Sequence, residues 1–376
     1  MSESNIFLPD ANNLPVSKLA SVFNNTTNSY KYLFFTALIN LMENDFFEKS
    51  VFSVDDIYTE MLTIAWYPHT YFKLNFGSQD KIGLLLDKIG EPLEFTGLLT
   101  NNFRVNLRKL LKHHIKDITK TLDRYVKFRL LRPFFANEVQ GLKDTQVNKK
   151  IKQLAYDNLN RYWPLYYISN DESEIIIPPP WINYISVNIK ILKNFAAWEW
   201  LDYMQKMNPS VPNLQKKLFP PVTKENLNIQ TTYWKHVLKV SPLPCIFTGE
   251  PLHYLDISLD HFLPWSFVAH NQLWNLIPVT KSINSSKSNN LPSLDKYLAG
   301  FANIQYKALN IYYNSPGRKP WNKIIEPYLS DLKLTEQDVL NKTRLTGALE
   351  DAVKPLYGLA RNQGFSPDWV YTGIRS

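Results

Sequence analysis

The sequence predicts a mainly α-helical protein carrying a small inserted ββα unit, and three observations support that class. Twelve glycines among 376 residues are too few for the tight turns of a barrel or sandwich. Apolar residues recur at spacings of three and four over most of the chain, the mark of helices with a buried face. Between Cys245 and Pro292 the pattern breaks into short strand-length pieces.

The elements follow in order. A first helix is expected from Ser29, its N-cap, to Asn44, with Tyr32, Phe35, Leu38, Ile39 and Met42 on the buried side. A second runs from Val54 to Trp66, capped near Ser53 or Asp55 and stopped by Tyr67-Pro68. The clearest helix covers 102–130, where Leu107, Leu111, Ile115, Ile118, Leu122 and Val126 form an apolar stripe. Ile175-Ile176-Ile177 followed by three prolines reads as an edge strand or extended connector. Helical spacing resumes from Trp181 to Met207. After Leu291 further helices are expected, one over Glu336–Lys342 capped by Thr335 or Asp338, another over Ala348–Asn362 ending before Gly364.

Charge and cysteine content narrow the function. The formal charge of +8 points to an anionic partner. Its source is local: residues 101–165 hold fifteen Lys/Arg against five Asp/Glu, an excess larger than that of the whole chain. Within this segment Arg104, Arg108, Lys112, Lys116, Lys120 and Arg124 form an i,i+4 ladder of one sign. Such neighbours repel mildly, so an anion that offsets them is expected, and DNA phosphates would serve. Cys245 is the only cysteine, which excludes an intramolecular disulfide. The first residues, Met1-Ser2-Glu3-Ser4, lack the basic and apolar regions of a signal peptide. The apolar run Tyr32–Met42 is about half the roughly 20 residues of a membrane helix, so a cytoplasmic chain without a membrane partner is expected.

The chemistry is concentrated in CIFTGEPLHYLDISLDHFLPWSFVAHNQLWNLIPVTKSINSSKSNNLP, residues 245–292. Residues 257–261 alternate as a strand whose end delivers Asp260 and His261. A loop over 264–272, a second strand over 273–279 and a short helix over 281–289 complete the ββα reading. Asp260 and Asn284 offer the oxygen ligands that a hard cation takes. A neutral imidazole at His261 can accept a proton from water attacking phosphorus. Lys287 can hold an adjacent phosphate as a point charge. His253 and His270, nearby, read as bystanders.

The succession D-H-x-x-P-W-S-F, W-N-L and N-S-S-K-S-N-N-L-P resembles the HNH (ββα-metal) endonuclease motif of restriction and homing nucleases, colicins and CRISPR effector nucleases. The resemblance implies that Asp260 and Asn284 are metal ligands for Mg²⁺ or Mn²⁺. It implies that His261 is the general base, that Asn275 braces the loop between the strands, and that Lys287 lies near the phosphate. Asn284 stands where many relatives have a final His, an H-N-N variant. Many relatives also hold zinc with two C-x-x-C pairs. The corresponding places here read Cys245/Thr248 and Thr280/Ile283, so no structural zinc is expected and Cys245 is expected to be a small buried residue.

Three regions follow: a helical N-terminal region over 1–240, the HNH module over 241–292, and a helical region over 293–376 packing on the rest. The leading function is metal-dependent cleavage of DNA, by nicking or double-strand cutting. A helical region joined to such a motif is similar to bacterial restriction and phage-defence nucleases, among them the HNH component of Zorya-type systems. Partner proteins of a defence system and an oligomer are compatible with this reading. The alternative is a DNA-binding or scaffolding protein with a silent or partner-gated HNH fold. An RNA substrate ranks below both, since nothing resembles an RNA-recognition module.

Overall fold

The computed structural model describes residues 7–11, 13–90, 95, 99–159, 164–219, 225–316 and 320–373. Residues 1–4, where the sequence reading expects no signal peptide, and residues 317–319 are not among them. The chain is mainly helical with two small sheets. Among the described residues no helix is long and apolar enough to cross a membrane. Contacts divide it into two units, Met1–Pro209 with Lys217–Val222, and Ser210–Lys216 with Thr223–Ser376.

Unit 1 is built on α1 (Tyr30–Asn44), which is buried nearly all round through residues such as Leu33, Phe34, Phe35, Leu38 and Met42. A helix apolar on every side must be enclosed. α2 (Val54–Trp66) follows strand β1 (Val51–Ser53) and packs against α1. Ser29 precedes α1 without capping it: its hydroxyl and backbone N–H both donate to Asp80 Oδ2, at 2.6 and 2.7 Å.

The expected helix over 102–130 is two helices, α3 (Asn101–His113) and α4 (Ile115–Leu122), separated by a turn at His114 with φ −101° and ψ 10°. A 3₁₀ segment, Arg129–Phe135, follows. The turn lets both halves lie on α2, with Leu107, Leu111, Ile118 and Leu122 buried. α2 also neutralises part of the basic ladder. Arg108 grips Glu60 Oε2 through Nε at 3.0 Å and Nη2 at 2.6 Å, and Lys112 lies 2.9 Å from Asp56. The anions that the ladder calls for are thus partly internal. Lys116, Lys120 and Arg124 stay exposed, while Arg104 is half-buried.

Helix α5 (Asp144–Asp157) leads to β2 (Tyr167–Ile168) and β3 (Glu174–Ile176). The sheet order is β1-β3-β2, so Ile175 and Ile176 lie in the central strand and not at an edge. The three prolines do not disturb the ladder because they come after it: Pro179 opens α6 (Pro179–Met207), where no N–H is needed. Asn188 kinks α6 (φ −106°), its amide donating to the Tyr184 carbonyl at 2.9 Å.

Unit 2 contains α7 (Asn228–Val240), β4 (Ser258–His261), β5 (Leu276–Val279), α8 (Lys281–Lys287), α9 (Leu294–Asn314), α10 (Trp321–Asp331) and α11 (Lys342–Asn362). One core joins the motif segment to these helices: Trp234, Phe267, Leu276, Phe301, Leu309, Tyr328, Leu345 and Val353 all belong to it. α7, placed before the 241 boundary by the sequence reading, shares this core through Tyr233, Trp234, Val237 and Leu238. Helix α11 begins at Lys342, six residues before the expected start, because Asn341 caps it by accepting from Arg344 N–H at 3.1 Å. The short helix ahead of it, Glu336–Val339, keeps its Thr335 cap, with Asp338 completing a capping box.

Glu60 is only 2% exposed and depends on Arg108, itself 33% exposed. Arg108→Ala is expected to lower stability by about 2 kcal/mol, less than the loss for a fully buried pair because Arg108 is partly solvated. Urea denaturation of the variant, compared with exposed Lys116→Ala as a neutral control, measures it.

Candidate active site in the motif segment

Strands β4 and β5 pair antiparallel, Ser258 opposite Val279, Asp260 opposite Ile277 and His261 opposite Leu276. β5 is buried along its whole length. It begins after a 3₁₀ turn, Leu273–Asn275, shortening the expected strand by three residues. That turn is held by Gln305 of α9, whose Nε2 lies 3.4, 3.2 and 2.9 Å from the carbonyls of Leu273, Trp274 and Leu276. Tyr328 in turn donates to Gln305 Oε1 at 2.7 Å. Helix α8 follows β5 directly, capped by the Thr280 hydroxyl.

Asn275 closes the loop between the strands. Its Oδ1 accepts from Leu263 N–H and its Nδ2 donates to the Leu263 carbonyl, both at 2.9 Å, and its own carbonyl accepts from Phe262 N–H at 2.8 Å. The side chain is wholly buried, so these bonds have no water to replace them. Asn275 is therefore positioned to brace rather than to touch a substrate.

Residues 258 and 260 share the strand face that α8 covers. Asn284 Nδ2 donates to Ser258 Oγ at 2.8 Å and to the Leu259 carbonyl at 3.2 Å. A carbonyl can only accept, so the amide nitrogen must face the strand and Oδ1 is turned away from it. Lys287, one turn further along α8, has 0% exposure. Its ammonium donates to Asp260 Oδ1 at 3.1 Å and to the His261 carbonyl at 2.7 Å. The sequence reading set Lys287 at a phosphate, whereas the structure turns it inward as the counter-ion of Asp260. Asp260 Oδ2 also lies 3.0 Å from that ammonium, so Lys287 straddles the carboxylate. Burial raises the Asp260 carboxyl above its ordinary range, against the opposing pull of Lys287 and the His261 backbone N–H. A buried carboxylate of this kind needs a cation beside it, and Lys287 supplies one.

His261 takes the other side of the strand end and is half-buried. Burial is the main reason its pKa falls to about 4, with the charges of Lys287 and His270 adding. Asn271 and the His270 carbonyl oppose the shift. The ring is thus neutral at neutral pH. Its Nε2 lies 3.0 Å from Asn271 Oδ1, while Asn271 Nδ2 donates to Glu225 Oε2 at 2.8 Å. Glu225 is held ionised by Lys216 at 2.8 Å, which with Asn271 lowers its pKa. A carboxylate only accepts, so it fixes which way the Asn271 amide points. An oxygen therefore faces Nε2, which favours the tautomer with its proton there.

Asn271 and Glu225 were not found from the sequence. Asn271 follows His270 in a loop without periodicity, and Glu225 lies before α7, outside the motif. The backbone of Asn271 is held too, its carbonyl accepting from Gln230 of α7 at 2.9 Å. Ala269, two residues earlier, adopts a left-handed φ of 52° that turns the chain toward the site. Of the other expected residues, His253 is exposed and stacks beside Tyr254, and His270 packs on Trp274 with ring centroids 5.3 Å apart. Cys245 is buried. The ladder residues Arg104, Arg108, Lys112, Lys116, Lys120 and Arg124 all lie in unit 1.

Residues 245–293 match the family model of the HNH endonuclease, so this segment is of the HNH family. No curated protein and no solved structure matches the chain.

Asn275→Ala strands the buried N–H and carbonyl of Leu263. A loss of about 2–4 kcal/mol is expected from two orphaned groups. Thermal denaturation measures it, and a change below about 0.5 kcal/mol would mean that the loop finds other partners.

Proposed function

We propose that the chain is a divalent-metal-dependent DNA endonuclease whose HNH segment acts as a ββα-metal module, with its reacting groups at Asp260, His261 and Asn284. One observation carries the reading: a neutral His261, its Nε2 facing Asn271 Oδ1, stands next to the buried Asp260 carboxylate at the end of one strand.

The residues fit a hard cation. Asp260 supplies a carboxylate and Asn284 Oδ1 is turned away from the strand, and Mg²⁺ or Mn²⁺ commonly completes such a pair with water and phosphate oxygens once the carboxylate is shared with Lys287. When bound, the ion supplies Lewis-acid stabilisation of charge on the phosphoryl and leaving oxygens. His261 Nδ1 takes the proton of the water that attacks phosphorus. As the new P–O bond forms, the bond to the 3′ oxygen breaks, leaving a 5′-phosphate and a 3′-hydroxyl. Asn271 positions His261, Asn275 the loop, and Lys287 the Asp260 carboxylate. Lys116, Lys120 and Arg124 are the rungs of the ladder best exposed to meet a DNA backbone. Resemblance in architecture supports a place in bacterial restriction or phage defence.

A partner-gated or silent site is the second reading, favoured by Lys287. Its ammonium already sits on Asp260, and a metal must share or displace it. Supercoiled plasmid with Mg²⁺ or Mn²⁺ separates the two. Metal-dependent nicking or linearisation, abolished by EDTA and reduced about 10²–10⁴-fold in His261→Ala, is expected. DNA binding without cutting in either metal would instead favour gating. Asn271→Ala is expected to cut the rate about tenfold or more. In that variant the ¹⁵N spectrum of His261 should mix both tautomers. A spectrum unchanged from wild type would remove Asn271 from the mechanism.

A further inference from the structure

The basic excess of residues 101–165 is not confined to the α3–α4 ladder. Arg129 and Arg132, from the 3₁₀ segment, line a cavity of about 1080 Å³ that Lys31 of α1 and Lys81 also line. No aspartate or glutamate is among the described lining residues, and most of the remaining wall is amide and hydroxyl, with Asn24 and Asn28 as examples. The Lys31 ammonium donates to the Val22 carbonyl at 2.8 Å. None of Lys31, Lys81 and Arg132 has an ion pair among the described residues.

The cations sense one another. Burial, then the charges of Arg132 and Arg129, lower the Lys31 ammonium to about 8. Like charges gathered on one cavity raise the energy of the empty fold, and an anion that bridges them removes the repulsion. Guanidinium forks and ammonium points are the groups that hold phosphate oxygens. The volume is at the upper end of the roughly 300–1,000 Å³ of small-molecule sites, well beyond what a lone phosphate fills. Amides and hydroxyls around it offer both donors and acceptors, as ribose hydroxyls and base edges require. The cavity is open to solvent, with Lys81 and Arg132 exposed at its wall, so a ligand can reach all four cations from outside.

We propose that unit 1 carries a binding site of its own for a nucleotide-type polyphosphate, held through Lys31, Lys81, Arg129 and Arg132. The site uses none of the HNH residues, so it stands or falls apart from the nuclease reading.

Isothermal titration of the full chain with ATP and with tripolyphosphate, in EDTA, tests it. Each is expected to bind at one site per chain and to displace the other. Lys81→Ala combined with Arg132→Ala is expected to weaken both by about 100-fold, since two charge-assisted contacts are lost. Both side chains are exposed, so the fold should persist, and an unchanged urea midpoint checks this. His261→Ala is expected to bind ATP as the wild type does. Saturable binding by neither anion, or equal binding by the double variant, overturns the site. A ten-nucleotide single-stranded DNA that binds more tightly than ATP through the same two residues overturns the small-molecule ligand and makes the cavity a nucleic-acid groove.

Discussion

The ammonium of Lys287 is removed from water, and the rest of the motif is arranged around satisfying it. A buried cation is costly unless acceptors surround it. Here they come from the end of β4, as the Asp260 carboxylate and the His261 carbonyl. The bond ties α8 to the strand at one point, and Asn284, a turn earlier, ties it at another. Helix and strand are thereby locked in register before any ligand arrives. The same contact holds both oxygens of the Asp260 carboxylate near one cation.

Carboxamides do most of the remaining positioning. Asn275, Asn271, Asn284 and Gln305 each use their groups on partners of fixed character, a carbonyl, an N–H or a carboxylate. Because a carboxamide both donates and accepts, a partner that can only accept determines its orientation. That is how Glu225, two hydrogen bonds removed from the ring, sets an acceptor oxygen against His261 Nε2. Unit 1 uses another device, in which acids of α2 take up cations of α3.

Helix positions with strong periodicity were legible in the sequence: Val54–Trp66 is found as expected, and α1 begins one residue after its expected cap. That Asp260, His261, Asn275 and Asn284 belong to one HNH-like segment was legible because their order and spacing follow a motif. The break at His114 was not, since the apolar stripe continues across it in steps of three and four while the chain turns around α2. The central place of Ile175 was hidden by prolines that belong to the next helix. Lys287 was legible as a position but not as a partner, because spacing does not say whether a lysine faces outward or in. Asn271 and Glu225 lie too far apart in sequence, and in stretches too irregular, for their pairing to be read.

The shared core of unit 2 bears on how this module could be handled as a part. The motif residues are a short stretch of sequence, but Phe262 stacks on Phe301 of α9 with ring centroids 4.1 Å apart, and the 3₁₀ turn before β5 hangs from Gln305. The Glu225 carboxylate enters from ahead of α7, and the segment 291–293 is bonded to Ser366 and Trp369 near the other end. A cassette cut at the motif borders would carry Asp260, His261 and Asn284 without their walls. The smallest portable piece runs from before Glu225 to beyond Trp369, and a designer wishing to graft this arrangement elsewhere would have to move that whole body intact.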